Sequence, residues 1–263
     1  MKNKQQTCPT NVVKRCSRRA VLAIITCLLV FALVDRWAAS VDAHQAAGGV
    51  VDDPRPVAKA MALLSRRLGW NITYEDPVYV NADDLLVLTK GGKRSSIPRW
   101  GRVRLPDEAV MATAQENPVA FLGSVIATEE MSRGRVKRFK VLRSESMFHV
   151  VPDQVLDAAG RWQTAVPIFD TTITISHPAV SLNEFLEILC ENLSAVSPTK
   201  VITATIPRGP AAQTMLPAQE RTARARTLLV EALSRTELPL KWLLMYDPPS
   251  ATYYLSVVPP GSF

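Results

Sequence analysis

The chain has 263 residues, of which 47% are apolar and 21% charged, a composition typical of a globular protein that can bury a full core. Its formal net charge is +7, but residues 1–43 hold seven of the 31 basic and two of the 24 acidic side chains, which leaves 24 basic against 22 acidic in the remainder. A net charge of +2 there excludes a strong global attraction to nucleic acid.

The first 43 residues have the three parts of a secretory signal peptide. A basic region ends at Arg18-Arg19, an apolar run covers residues 20–34, and small residues fill 38–43. The run is shorter than the roughly 20 residues that span a bilayer. We therefore expect cleavage near Ala43 and an exported, periplasmic or extracellular protein. The alternatives are retention of the run as an inner-membrane anchor and, because of the paired arginines, the twin-arginine route in place of the favoured general secretory route.

The first half of the remaining chain alternates helical and strand patterns. Apolar spacing predicts a helix at 54–68 that ends at Gly69 and leads directly into a strand at 70–75. The later predicted elements are a strand at 85–89, a loop at 90–101, a short strand at 103–105, a helix at 118–131 and a hairpin of 136–142 with 147–151.

The second half repeats this style. A helix begins at Ser181, where Glu184 gives capping-box spacing. A strand at 171–175, this helix and a strand at 200–206 that returns to the first form a predicted strand–helix–strand unit. The other predicted elements are a polar connection at 208–223, a helix at 224–235 and two final strands at 240–246 and 252–257. The fold class is α+β, with short helices packed on small, mostly antiparallel sheets. We divide it into two similar βαβ-containing halves, 48–160 and 161–263, with one continuous sheet as the alternative.

Three short motifs carry a resemblance to known proteins. They are Asp53-Pro54-Arg55-Pro56, the strand end Tyr74-Glu75-Asp76-Pro77, and Tyr246-Asp247-Pro248 near the C-terminus. Together they resemble a family of uncharacterised exported bacterial proteins, which supplies no catalytic residues to carry over. The helix-then-strand stretches are also similar in pattern to the short N-terminal domain of secretins and TonB-dependent receptors, which implies a periplasmic interaction module.

The residue types that carry enzyme chemistry are sparse. His44, His149 and His177 lack metal-ligand spacing, and Cys190 is the only cysteine outside the predicted signal peptide. A buried, inert role is the usual one for a free cysteine. No nucleophile elbow, phosphate loop or zinc-protease motif is present. The sequence therefore predicts no catalytic residue, no cofactor and no metal.

Two basic clusters remain as candidate contact surfaces. The first contains residues suited to an anionic partner, in which an aromatic ring lies among cations: Lys93, Arg94, Arg99, Trp100, Arg102 and Arg104. The second spans 133–143. An ordinary solvated loop and a charged edge strand are the more usual explanation of such clusters.

These observations predict an exported, non-enzymatic interaction module of the bacterial periplasm or envelope. Its partner would be an envelope protein or an anionic envelope polymer, with no nucleic acid, and with the membrane only through an uncleaved N-terminus. Its sheet edges and basic loops would make the contacts, and strand addition is one mode of contact open to them. The alternatives are an exported hydrolase whose site is formed by scattered polar residues, and a membrane-anchored subunit.

Overall fold

A six-stranded mixed sheet is the central element of the computed structural model, which describes residues 49–131, 134–135, 138–145, 147–206 and 208–260. The predicted signal peptide at 1–43 lies outside the described residues. The described helices are α1 (Pro56–Leu68), α2 (Glu108–Ala112), α3 (Pro118–Ile126), α4 (Leu182–Val196) and α5 (Ala225–Ser234).

The described strands are β1 (Val50–Asp53), β2 (Asn71–Glu75), β3 (Leu85–Lys90), β4 (Lys93–Pro98), β5 (Gly101–Arg104), β6 (Glu130–Met131), β7 (Gly134–Arg135), β8 (Phe139–Ser144), β9 (Met147–Pro152), β10 (Gln154–Leu156), β11 (Trp162–Thr164), β12 (Thr172–His177), β13 (Val180–Ser181), β14 (Lys200–Thr205), β15 (Met215–Leu216), β16 (Gln219–Arg224), β17 (Lys241–Asp247) and β18 (Thr252–Val258). The fold is α+β, as the sequence predicts.

The central sheet has the order β14-β18-β17-β2-β9-β8, with three strands from each predicted half. Both halves follow the same plan: a helix leads into one strand, and a second helix leads into a hairpin. In each, the single strand lies parallel to the second strand of its hairpin, as β2 to β9 and β14 to β18. Parallel pairing of β17 with β2 joins the two sets. Residues 48–263 cluster as one compact unit.

The helices of the two halves cover opposite faces of this sheet. Alternate residues of β17 show the division, because successive side chains of a strand point to opposite faces. Trp242 and Leu244 lie in a core with α4 and α5, whereas Leu243 lies in a second core with α1 and α3. The sheet is therefore the middle layer between two hydrophobic cores.

Local sequence signals account for the ends of the main helices. Pro56 occupies the first turn of α1, and Gly69 ends the helix with a φ of 67°, in the left-handed region. Ser181 and Glu184 form the predicted capping box of α4, in which each side chain accepts a hydrogen bond from the other residue's backbone N–H.

Most predicted elements are confirmed within one to three residues, and four expectations are wrong. The helix predicted at 118–131 ends at Ile126. The predicted loop at 90–101 contains strand β4, and the predicted connection at 208–223 contains β15 and most of β16. Strand β16 is largely exposed, and Pro98 is the one buried residue among the described side chains of β4, so neither strand has the apolar alternation that identifies a half-buried strand. Strand β14 returns beside β18, not beside β12, which pairs with β16.

Candidate interaction surface and buried polar clusters

Strands β3 and β4 form a two-stranded arm, hereafter the β3–β4 arm, that pairs with no other strand in the described part of the chain. Gly91 and Gly92 make its turn, with φ of 57° and 76° that glycine adopts without strain. Val87 is 58% exposed and its neighbour Leu88 is 44% exposed. Because neighbouring side chains point to opposite faces, the arm is open to solvent on both.

The predicted anionic-partner residues divide between this arm and the adjoining strand. Lys93 and Arg94 begin β4 directly after the turn, and the side chain of Arg94 is exposed. Arg99 lies at the base of the arm, where its backbone N–H donates to the Asp84 carbonyl at 2.7 Å and its Nη2 donates to the Leu85 carbonyl at 3.4 Å. Trp100, next to it, is 51% exposed.

Arg102 and Arg104 lie together on the exposed face of β5. Arg102 Nε lies 2.9 Å from Asp52 Oδ2, and Arg104 Nη2 lies 3.7 Å from Glu130 Oε1. The structure therefore gives these two cations acidic neighbours. Along the sequence, residues 85–106 carry six basic side chains and no Asp or Glu, so the segment that includes the arm is basic.

The second basic cluster includes Arg138, which a charged, exposed edge strand would place in solvent but which the structure places in the interior. Arg138 is only 2% exposed, and its Nη2 lies 3.2 Å from Asp84 Oδ2. Its guanidinium lies over the rings of Tyr79 and Trp162 at 5.6 and 5.9 Å. Burial raises the pKa of nearby Glu129 to about 7 in spite of Arg138. Arg138 is therefore buried, although the strand that follows it directly, β8, is an edge strand of the central sheet.

The three resemblance motifs meet at one buried carboxylate. Asp76 is 1% exposed and accepts hydrogen bonds from Arg55 Nε at 2.5 Å, from Tyr74 Oη at 2.8 Å and from the Tyr246 N–H at 3.0 Å. Tyr79 Oη donates at 3.3 Å. Arg55 also donates from Nη2 to the Tyr246 carbonyl at 2.6 Å. This cluster ties the start of α1 and the end of β2 to β17, so its role is architectural.

A second buried charge cluster lies on the other face of β2. Arg226 Nη1 is 2.6 Å from Glu75 Oε1, and Arg226 Nε donates to Asp170 Oδ1 at 3.0 Å. Burial raises the pKa of Glu75, and Arg226 opposes this shift. The pair fixes α5 against the sheet, since removing either charge would leave the other buried without its counter-ion.

His149 is the histidine closest to a catalytic arrangement. Its Nδ1 lies 2.8 Å from Thr73 Oγ1, and its Nε2 lies 2.5 Å from Ser144 Oγ. The ring stacks on Trp242 and is 1% exposed. Burial, assisted by Arg226, lowers the pKa of His149 to about 3. A hydroxyl, not a carboxylate, therefore orients this ring, and the imidazole is a weak base.

The other two candidate groups are less suited to chemistry. His177 Nδ1 lies 2.6 Å from the Pro178 carbonyl, and its ring meets Phe185 edge-on. Burial raises the pKa of the Cys190 thiol to about 12, so thiolate formation is suppressed. Among the described residues, no group of three or more His, Cys, Asp and Glu side chains is placed to hold a metal ion. His44 lies outside the described residues.

Sequence reasoning overlooked the exposed aliphatic residues of the β3–β4 arm. The available signal was the run Leu85 to Leu88, which lacks the polar alternation of a half-buried strand yet is followed by Lys90 and a Gly-Gly turn. Comparison with protein-family models, with curated proteins and with solved structures found no match. Every helix of the described ranges is too short or too polar to cross a membrane.

Proposed function

We propose that the chain is an exported, non-enzymatic interaction module of the bacterial periplasm or envelope. The β3–β4 arm is the observation that carries this proposal. Monomeric proteins normally cover or charge the edges of their strands, and a lone two-stranded hairpin with exposed aliphatic side chains is poorly stable by itself. An arm with Val87 and Leu88 exposed on opposite faces is therefore suited to contact with another molecule.

The buried polar residues favour the same function over catalysis. The Asp76 carboxylate accepts hydrogen bonds from four donors of its own chain. Arg226 lies between the carboxylates of Glu75 and Asp170. Networks of this kind hold two layers in a fixed geometry. They therefore support a rigid body that presents the arm, with the export predicted from residues 1–43 setting the compartment.

In-cell crosslinking with matched positions tests this function. A photo-crosslinking residue at position 87 samples the arm, and one at position 196 is a control, because Val87 and Val196 are both 58% exposed. We expect a specific envelope protein to be captured from position 87 and not from position 196. Capture of nothing specific at position 87 would overturn the proposal. The N-terminus of the same sample, read by mass spectrometry, separates a mature start near residue 44 from an anchored subunit.

The exported hydrolase is the second candidate, and one contact favours it: the 2.5 Å approach of Ser144 Oγ to His149 Nε2. A nucleophilic serine needs such a base, usually oriented by a third group. Here the third group is Thr73, and the low pKa of His149 makes proton abstraction unfavourable. A fluorophosphonate probe decides the matter: labelling of Ser144 that disappears in the His149→Gln variant would support the hydrolase and contradict the interaction module.

A further inference from the structure

We propose that the outer edge of β3 is the docking edge of the arm, and that its occupant is an acidic, extended segment of a partner protein that adds to the arm as a third strand. This inference rests on the interaction function proposed above, and it adds the mode of binding and the chemistry of the partner. Four observations point to it: the backbone pairing of the arm, its exposed side chains, its charge, and the contrast with the edges of the central sheet.

The backbone pairing distinguishes the two edges of the arm. In a hairpin with a two-residue turn, the closing pair exchanges both hydrogen bonds, and bonded and non-bonded pairs alternate from there. Lys90 and Lys93 are the closing pair, so Val87 and its partner Ser96 form a non-bonded pair. The N–H and C=O groups of Val87 and Thr89 therefore point away from β4, towards the outer edge of β3.

The outer edge of β4 is protected, whereas that of β3 is not. Pro98 pairs with Leu85, which is another non-bonded position, so a proline stands where an outward N–H would be. Proline and charge, here also Arg94, are the usual means of blocking an edge strand. On β3, Arg99 Nη2 occupies the Leu85 carbonyl, and no proline follows before the turn. The open stretch is thus the one that contains Val87 and Thr89.

An added strand would cover both exposed aliphatic side chains at once. Val87 and Leu88 point to opposite faces, and cross-strand neighbours lie about 4.5–5.5 Å apart between Cβ atoms. Alternating side chains of one added strand would flank Val87 on one face and Leu88 on the other. A lipid surface met by the tip of the arm would not reach them, since Val87 lies about 10 Å behind Lys90 at about 3.3 Å per residue.

Charge selects an acidic occupant. Residues 85–106 contain Lys90, Lys93, Arg94, Arg99, Arg102 and Arg104 and no acidic residue. Arg102 and Arg104 have acidic neighbours, and Arg94, which is exposed on the arm itself, is the described cationic side chain closest to the turn. A carboxylate on the added strand beside the Gly-Gly turn would therefore be attracted, and a cation there would be repelled.

The edges of the central sheet are less suited to docking. Its edge strands are β8 and β14, and neither presents a large apolar side chain among the exposed ones of the described residues. Strand β8 carries Lys140 and Arg143, and β14 has an irregular register between Thr203 and Thr205. Charge and irregularity of this kind discourage strand addition.

A pair of proline variants tests the inference. Val87→Pro removes an outward N–H on the β3 edge, and Ser96→Pro removes one on the β4 edge at the directly opposite position, so both leave the bonded pairs of the hairpin intact. The probe is a fluorescein-labelled peptide that alternates Glu with Val and Thr, and its control has Lys in place of Glu. Binding to the purified protein, with the N-terminus that the cell leaves, is measured by fluorescence anisotropy.

We expect the acidic peptide to bind saturably, the Lys peptide to bind at least about tenfold more weakly, Val87→Pro to lose about tenfold in affinity, and Ser96→Pro to stay within about twofold of the parent. Absence of saturable binding up to about 1 mM, or equal losses in the two proline variants, would overturn the inference. A concentration-dependent dimer of the protein that Val87→Pro abolishes would also overturn the inference. Binding of the protein to anionic vesicles that Val87→Pro leaves unchanged would overturn it as well.

Failure of this inference is distinguishable from failure of the interaction function. If a photo-crosslinking residue at position 88, where Leu88 is 44% exposed, captures the same envelope partner with and without Val87→Pro, the interaction module stands and strand addition at the β3 edge is wrong. If the parent protein captures no partner, the function itself is wrong, whatever the peptide does.

Discussion

Replacement of Asp76 by Ala would test whether the buried carboxylate holds the two layers together. The change leaves four donors without their acceptor: Arg55 Nε, the hydroxyls of Tyr74 and Tyr79, and the N–H of Tyr246. Breaking a buried ion pair costs about 3–5 kcal/mol, and each lost hydrogen bond to a charged group costs about 1.5–3 kcal/mol. These losses are not additive, and Arg55 can regain water because its side chain is 25% exposed.

We therefore expect Asp76→Ala to lower the free energy of unfolding by about 4 kcal/mol. Urea denaturation of the purified protein, followed by tryptophan fluorescence, would measure it. Asp247→Ala is the matched control, because it also precedes proline but accepts only from Ser250, in an exposed turn. We expect that variant to lose about 1 kcal/mol or less. A loss of about 1 kcal/mol in both variants would refute the architectural role of Asp76.

Three further predictions follow from the pKa directions and the charges. Because the pKa of Glu129 is about 7 in the folded protein against 4.5 unfolded, stability should decline as pH rises from about 4.5 through about 7, by at most about 1.4 kcal/mol per unit, and Glu129→Gln should remove that decline in pH-dependent urea melts. Cys190 should resist alkylation at pH 8 until the protein is unfolded, as read by peptide mass spectrometry; rapid labelling of the folded protein would contradict the raised pKa. On a cation-exchange resin, Lys93→Ser with Arg94→Ser should reduce retention more than Arg102→Ser with Arg104→Ser, because the second pair has acidic neighbours; the reverse order would contradict this reasoning.

The fold was largely predictable where burial imposes a period on the sequence. Helix α4 has an apolar stripe and a capping box. Strands β17 and β18 are rich in apolar residues, and clear turn residues bound them. The helix and the hairpin were therefore predicted nearly to their ends. Strand β4 was missed because, among its described side chains, Pro98 at its end is the one that is buried, so the strand lacks the alternation that a buried face imposes. Pairing partners were harder still, since nothing local to β14 specifies β18 over β12.

The candidate surface was predictable in charge but not in geometry. The basic residues were visible in the sequence, yet their acidic neighbours come from β1 and β6, which are distant along the chain. The reverse is true of Arg138, which resembles the other basic residues of 133–143 in sequence but is buried beside Asp84 and two aromatic rings. Counting charges along a segment therefore cannot separate a contact surface from an internal ion pair.

The motifs that carry the resemblance and the residues that would carry the function occupy different parts of the molecule. Arg55, Asp76 and Tyr246 meet in the interior, where any loss would leave a polar group without its partner. The β3–β4 arm contains none of these motifs, and its exposed side chains Val87 and Leu88 lie outside both hydrophobic cores. A similarity that rests on the three motifs would therefore identify a shared architecture, and under the proposed function the choice of partner would depend on the sequence of the arm.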